Sequence, residues 1–90
     1  MKVLKFGAVW CPSCLVMRPR WQKIEKELPW LETEYYDYDK DKEMVKKYKV
    51  DKGTLPAFIF LDKNGNEILR LNGEPPKEKL LKVIEENKDK

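Results

Sequence analysis

Short apolar runs separated by charged turns divide the chain into seven segments. Val3-Leu4-Lys5-Phe6-Gly7-Ala8-Val9 is mostly apolar, the pattern of a central strand buried on both faces. Met17, Trp21, Ile24 and Leu28 then recur at steps of four, three and four, which places them on one stripe of an amphipathic helix. Pro19 falls inside this helix and predicts a kink, and Pro29 ends it. Glu32 to Tyr38 reads as a second strand, rich in aromatic residues. After the charged turn Asp39-Lys40-Asp41-Lys42, the residues Met44, Val45 and Tyr48 mark a short second helix. Ala57-Phe58-Ile59-Phe60-Leu61 and Glu67-Ile68-Leu69-Arg70-Leu71 are strands of a hairpin, and Gly65 supplies the positive φ of the loop between them. Pro75-Pro76 suits the opening of a last helix, whose Leu80, Leu81 and Ile84 form its buried face, before a frayed Lys88-Asp89-Lys90 tail. The predicted order is βαβαββα, an α/β chain with a four-stranded mixed sheet flanked by helices, in one domain over residues 1–90.

Composition narrows the function classes. The 90 residues are 41% hydrophobic and 39% charged, which describes a globular chain with a densely charged surface and not a disordered one. Nineteen Lys and Arg against sixteen Asp and Glu leave a net charge of only +3, with acidic residues interspersed among the basic ones. That is a solvated surface and argues against a nucleic-acid partner. The aromatic strip Tyr35-Tyr36-Asp37-Tyr38 is read as strand packing for the same reason. No apolar run reaches membrane-spanning length, and Lys2 and Lys5 interrupt the start, so no membrane contact and a cytoplasmic location are expected.

The sulfur chemistry is confined to Cys11 and Cys14 besides three Met, and the chain has no His. An imidazole base and a Cys/His zinc site within one chain are therefore excluded. A structural disulfide closing so short a ring restrains few unfolded conformations. Two readings remain: a redox pair, or two ligands of a metal shared with another chain in a docking module. The placement of the motif between a strand and a helix favours the redox pair. There Cys11 meets the unpaired N–H groups of the helix N-terminus, which favour its thiolate and lower its pKa from ~8.5 toward neutrality. Cys14, one turn further and expected to be the more buried, is placed to attack a mixed disulfide formed on Cys11. Pro12 lacks a donor that a first-turn residue cannot use internally, so it rigidifies the site at little cost.

With these residues in view, the chain resembles the thioredoxin-like family along nearly its whole length. Trp10-Cys11-Pro12-Ser13-Cys14 is similar to the family's active-site stretch, Pro19 to its helix-kinking proline, and Gly53-Thr54-Leu55-Pro56 to the segment ending in its cis-proline. Gly65 and Gly73 match the hairpin glycine and the glycine before the last helix. The resemblance implies a thioredoxin-type protein disulfide reductase with Cys11 as nucleophile and Cys14 as resolving thiol. It implies support and client contacts from Trp10, Pro12, Ser13, Thr54, Leu55, Pro56 and Gly73. Clients would be disulfide-containing proteins and the electron donor a thioredoxin reductase; no metal or organic cofactor is expected, and the chain is expected to act as a monomer.

The departures point to an alternative. Pro12-Ser13 replaces the family's Gly-Pro and, with Thr54-Leu55-Pro56, is nearer to glutaredoxins, as is the short scaffold. A glutathione-linked activity is the second reading, although the glycine pair that often holds glutathione is here Gly73-Glu74. Trp10 is expected on a water-excluding rim at the site, whereas Trp21 and Trp30 are expected to pack in the interior. Where the family carries a buried acid this chain has Lys5, and the acid's usual lysine partner corresponds to Tyr35. A lysine in a central strand must lose its proton, find a carboxylate or Tyr hydroxyl, or reach toward solvent. Lys5 and Tyr35 are therefore candidates for tuning the dithiol.

Overall fold

A computed structural model describes all residues 1–90. Strands β1 (Lys2–Gly7), β2 (Glu32–Asp37), β3 (Ala57–Leu61) and β4 (Glu67–Asn72) alternate with helices α1 (Pro12–Glu27), α2 (Lys42–Lys47) and α3 (Lys77–Asn87) in the expected order. The strands form one mixed sheet in the order β2-β1-β3-β4. β1 runs parallel to β2 and antiparallel to β3, and β3 is antiparallel to β4. A 3-10 turn at Lys52–Thr54, unmarked by hydrophobic periodicity, leads into β3.

Alternation along the central strands divides the interior into two layers. On one face Val3, Phe58 and Phe60 pack against Met17, Trp21 and Ile24 of α1 and Leu80 and Ile84 of α3. On the other, Leu4, Phe6, Ala57, Ile59 and Leu61 pack against Val50, with Met44, Val45 and Tyr48 partly buried over them. The continuous apolar run of β3 is thus explained by burial on both faces, and all five of its residues are buried.

Several details depart from the sequence reading. β1 ends at Gly7, and Ala8 to Trp10 turn toward α1. Leu28 caps α1 and is only half-buried, because the chain is already leaving the helix at that point. Trp30 is 49% exposed: it sits in the turn after Pro29, and Leu31 takes the interior position instead. As expected, Pro19 lies inside α1, which spans Pro12 to Glu27. The tail is not frayed, since the Lys63 N–H donates to the Lys90 carbonyl at 3.1 Å and the Lys90 N–H to Asn87 at 3.1 Å. In the β3–β4 loop Gly65 has φ +84°, and the backbone N–H groups of Asn66 and Asn64 hold the Asp62 carboxyl below the usual carboxylate range. No helix is long and apolar enough to cross a membrane.

Candidate active site

The first turn of α1 carries the dithiol. Cys11 is the N-cap, its Cα lies 5.3 Å from that of Cys14, and the two sulfurs are joined as a disulfide. The Cys11 Sγ accepts the Cys14 N–H at 3.3 Å, so one of the donors that a helix N-terminus leaves unpaired already points at this sulfur. Pro12 occupies the first helical turn, where its missing N–H is not needed.

The exposure of the two cysteines is the reverse of the expected order. Cys11 is 5% exposed, whereas Cys14 is half-buried. The Cys11 sulfur folds back onto the Cys14 N–H. Cys14 faces Gly7, and beyond it a cavity of about 270 Å³ that Cys14 lines and Cys11 does not. A Cβ on Gly7 would lie 3.2 Å from the Cys14 sulfur and 3.1 Å from the Tyr35 hydroxyl, so the missing side chain is what lets these two groups approach one another.

This cavity lies between α1 and the sheet. Cys14, Arg18, Trp21, Gln22 and Glu25 reach it from one side of the helix, and Lys5, Tyr35 and Phe58 from one face of the sheet. Register explains the second set, because Lys5 pairs with Tyr35 on β2 and with Phe58 on β3. Of the three outcomes open to Lys5, the structure selects the carboxylate: its Nζ lies 2.5 Å from Glu25 Oε2 and 5.9 Å from the centre of the Trp21 ring. Thr33 also donates to Glu25 Oε2, at 3.0 Å. Tyr35 does not receive the lysine. Burial, reinforced by the Asp37 carboxylate, pushes its phenol above the ordinary value, so Tyr35 stays protonated.

Trp10, next to Cys11 at the rim of the site, is 45% exposed. Its indole Nε1 donates to Asp39 Oδ2 at 2.7 Å, its ring meets the edge of Tyr38 at 6.3 Å, and Lys52 Nζ stands 5.2 Å from the ring centre. Asp39 is positioned by Asp37, whose Oδ1 accepts the N–H groups of Asp39 and Lys40. On another side of the site the Leu55–Pro56 bond is cis, and Pro56 lines the cavity with Cys14. The Thr54 carbonyl accepts from Asn72 at 2.8 Å and the Pro56 carbonyl accepts the Gly73 N–H at 3.0 Å, while the Leu55 N–H and C=O have no partner within the chain. Gly73 has φ +81°, which a side chain would oppose. The candidates Trp10, Cys11, Pro12, Ser13, Cys14, Thr54, Leu55, Pro56 and Gly73 lie where β1 leads into α1 or on the segments beside it, and Lys5 and Tyr35 line the cavity that Cys14 lines. Glu74 was noted only as a carboxylate that does not favour anionic glutathione, and its bond to Ser13 was not foreseen; Glu25 was not singled out, because a glutamate on a charged helix carries no signal until its partners are known.

The family model described as thioredoxin matches residues 1–86. The chain belongs to the thioredoxin family. Among curated thioredoxins it is 37% identical over 86 residues to thioredoxin H7 of Arabidopsis thaliana, covering 96% of this chain and 64% of that protein. It is 29% identical to the thioredoxin of Chlamydia pneumoniae, covering 91% and 78% of the two chains. The solved structure of Fasciola hepatica thioredoxin superposes with a TM-score of 0.86 at 32% identity, over 96% of this chain and 79% of that one. This thioredoxin chain thus spans 64% of the length of the plant relative, and the family match over residues 1–86 takes in all four strands and all but the last residue of α3.

Proposed function

We propose that this chain is a thioredoxin-type protein disulfide reductase acting by dithiol–disulfide exchange. The observation that carries the reading is the placement of the Cys11 sulfur at the N-terminus of α1, on a helix N–H and one turn before Cys14. The Cys11 thiolate attacks a client disulfide, forming a mixed disulfide and releasing one client thiolate, which takes up a proton. Cys14 then attacks the Cys11 sulfur. The Cys11–Cys14 disulfide forms, the second client thiol leaves, and two electrons and two protons have passed to the client. An external two-electron donor restores the dithiol. The free Leu55 N–H and C=O suit an extended client segment, which would pair with them as an added strand. A reducing compartment, the cytosol in this reading, and a monomeric chain of one domain are consistent with the exchange. The family match supports this reading over the glutaredoxin-like and metal-docking alternatives.

The test is reduction of insulin disulfides by the reduced protein, with either a thioredoxin reductase system or glutathione as donor. Turnover is expected with the first and not with the second. Turnover with glutathione alone would move the protein to the glutaredoxin-like reading, and none with either would refute the activity.

Cys14 must lose its proton before it attacks. We assign that proton to Glu25, reached across the cavity, with Lys5 holding the carboxylate in place and the Tyr35 hydroxyl donating to the Cys14 thiolate. Such a base contributes roughly 10²-fold or more. Glu25→Gln is expected to slow the resolving step at neutral pH by at least about tenfold and to change its pH–rate profile, with Lys5→Met displacing the same profile. Three superimposable profiles from folded proteins would mean that the proton leaves through water.

A further inference from the structure

Glu74 is the charged side chain fastened directly to the segment between the two cysteines. Ser13 Oγ donates to Glu74 Oε2 at 2.7 Å. The loop carrying the carboxylate is held on both sides. The Gly73 N–H is bound to the Pro56 carbonyl at 3.0 Å, and Arg20 of α1 donates to the carbonyls of Glu74 at 3.4 Å and Pro75 at 2.8 Å. Arg20 is thereby committed to backbone carbonyls, and Glu74 takes part in none of the chain's ion pairs. The result is an exposed, unneutralised carboxylate in a fixed position beside the dithiol. Lys52, the cation described at the rim, is engaged with Trp10 instead.

A fixed charge at the rim of a binding site acts on whatever charge approaches it, and matters most for the rate of encounter and the choice of partner. We propose that Glu74 determines specificity: it directs the dithiol toward client disulfides flanked by Lys or Arg and away from those flanked by carboxylates. Glutathione disulfide, with its anionic arms, falls on the disfavoured side. This inference rests on the disulfide-reductase reading and adds to it the charge of the preferred client. Because Ser13 lies within the motif, the preference acts on the segment adjacent to the reacting sulfurs and not on distant parts of the client.

The test uses the fully reduced protein in stoichiometric amounts, so that no donor enzyme is needed. Second-order rate constants are measured against two matched peptide disulfides, one with Lys and one with Glu next to the cysteine, and against glutathione disulfide, at low and high salt. An exposed charge pair corresponds to about two- to fivefold in rate or affinity. The wild type is expected to prefer the Lys peptide by about that factor at low salt, with the preference shrinking as salt screens it. Glu74→Gln should bring the ratio to near one, and Glu74→Lys should invert it and speed the reaction with glutathione disulfide. Should Glu74→Lys fail to fold, Glu74→Gln, which keeps the shape and the Ser13 acceptor, still decides. A Lys-to-Glu ratio unchanged by Glu74→Gln overturns the assignment even if that ratio responds to salt. If the wild type with two free thiols reduces none of the three probes, the reductase reading itself fails, an outcome distinct from equal rates on all of them.

Discussion

Cys11→Ser is expected to bring disulfide reduction below detection, and Cys14→Ser to stop each molecule after a single attack. The first change removes the sulfur that the helix N-terminus holds; a serine hydroxyl in that position is not ionised and cannot attack a disulfide. The second leaves that sulfur in place but removes the thiol that would displace the client. A one-to-one covalent adduct should therefore accumulate, visible by mass spectrometry and released by an added small thiol. The reversed exposure of the two cysteines makes this experiment decisive for their roles. An adduct on Cys14 in the Cys11→Ser protein, with none on Cys11 in the Cys14→Ser protein, would show that the half-buried sulfur attacks first.

Trp21→Ala should be the most damaging single change to the fold. The ring is 2% exposed and packs at 5.4 Å from Phe58 and 6.3 Å from Phe60, joining α1 to β3. Removing so large a buried side chain costs about 3–5 kcal/mol, against a total stability of about 5–15 kcal/mol for a small domain. Trp21→Phe is expected to cost much less, about 1 kcal/mol, because it keeps most of the packing and removes an indole N–H that has no acceptor in the protein. Denaturant midpoints at unchanged slope measure both. Equal losses in the two variants would show that the aromatic packing kept by phenylalanine does not hold α1 to the sheet.

The skeleton was legible because its signals are local. The run around Phe6, the stripe through Met17, Trp21 and Ile24, the glycine of the β3–β4 loop and the prolines before α3 each fix an element within a few residues of themselves. Trp10, Cys11, Ser13 and Pro56 were legible because their spacing resembles a family. What stayed hidden depends on partners distant in sequence. Lys5 could be recognised as costly, but Glu25 lies 20 positions away on an ordinary charged helix, and only the packing of α1 on β1 brings the two together. Glu74 meets Ser13 across 61 positions. The burial of Cys11 depends on how its sulfur turns over the first helical turn, and Trp30, whose position just after the helix pointed to packing, is exposed because Leu31 fills the interior. Periodicity reports which face of an element is apolar, not which polar group it will meet.

The strand order has a consequence for behaviour in concentrated solution. With β1 and β3 in the middle, β2 and β4 each keep one side unpaired, and an unpaired strand is a template for another chain. Both margins are guarded by charge. β2 exposes Glu32 and Glu34, the latter paired with Lys2 at 3.3 Å, and on β4 Arg70 is forked onto Glu67 at 2.9 and 3.2 Å while also bonding the Tyr48 carbonyl. A second copy laid antiparallel against β2 and centred on Thr33 would bring Glu32 opposite Glu34, and like charges directly opposite one another are destabilising. Growth of the sheet into ribbons is therefore opposed at each margin, even in a crowded medium where such encounters are constant.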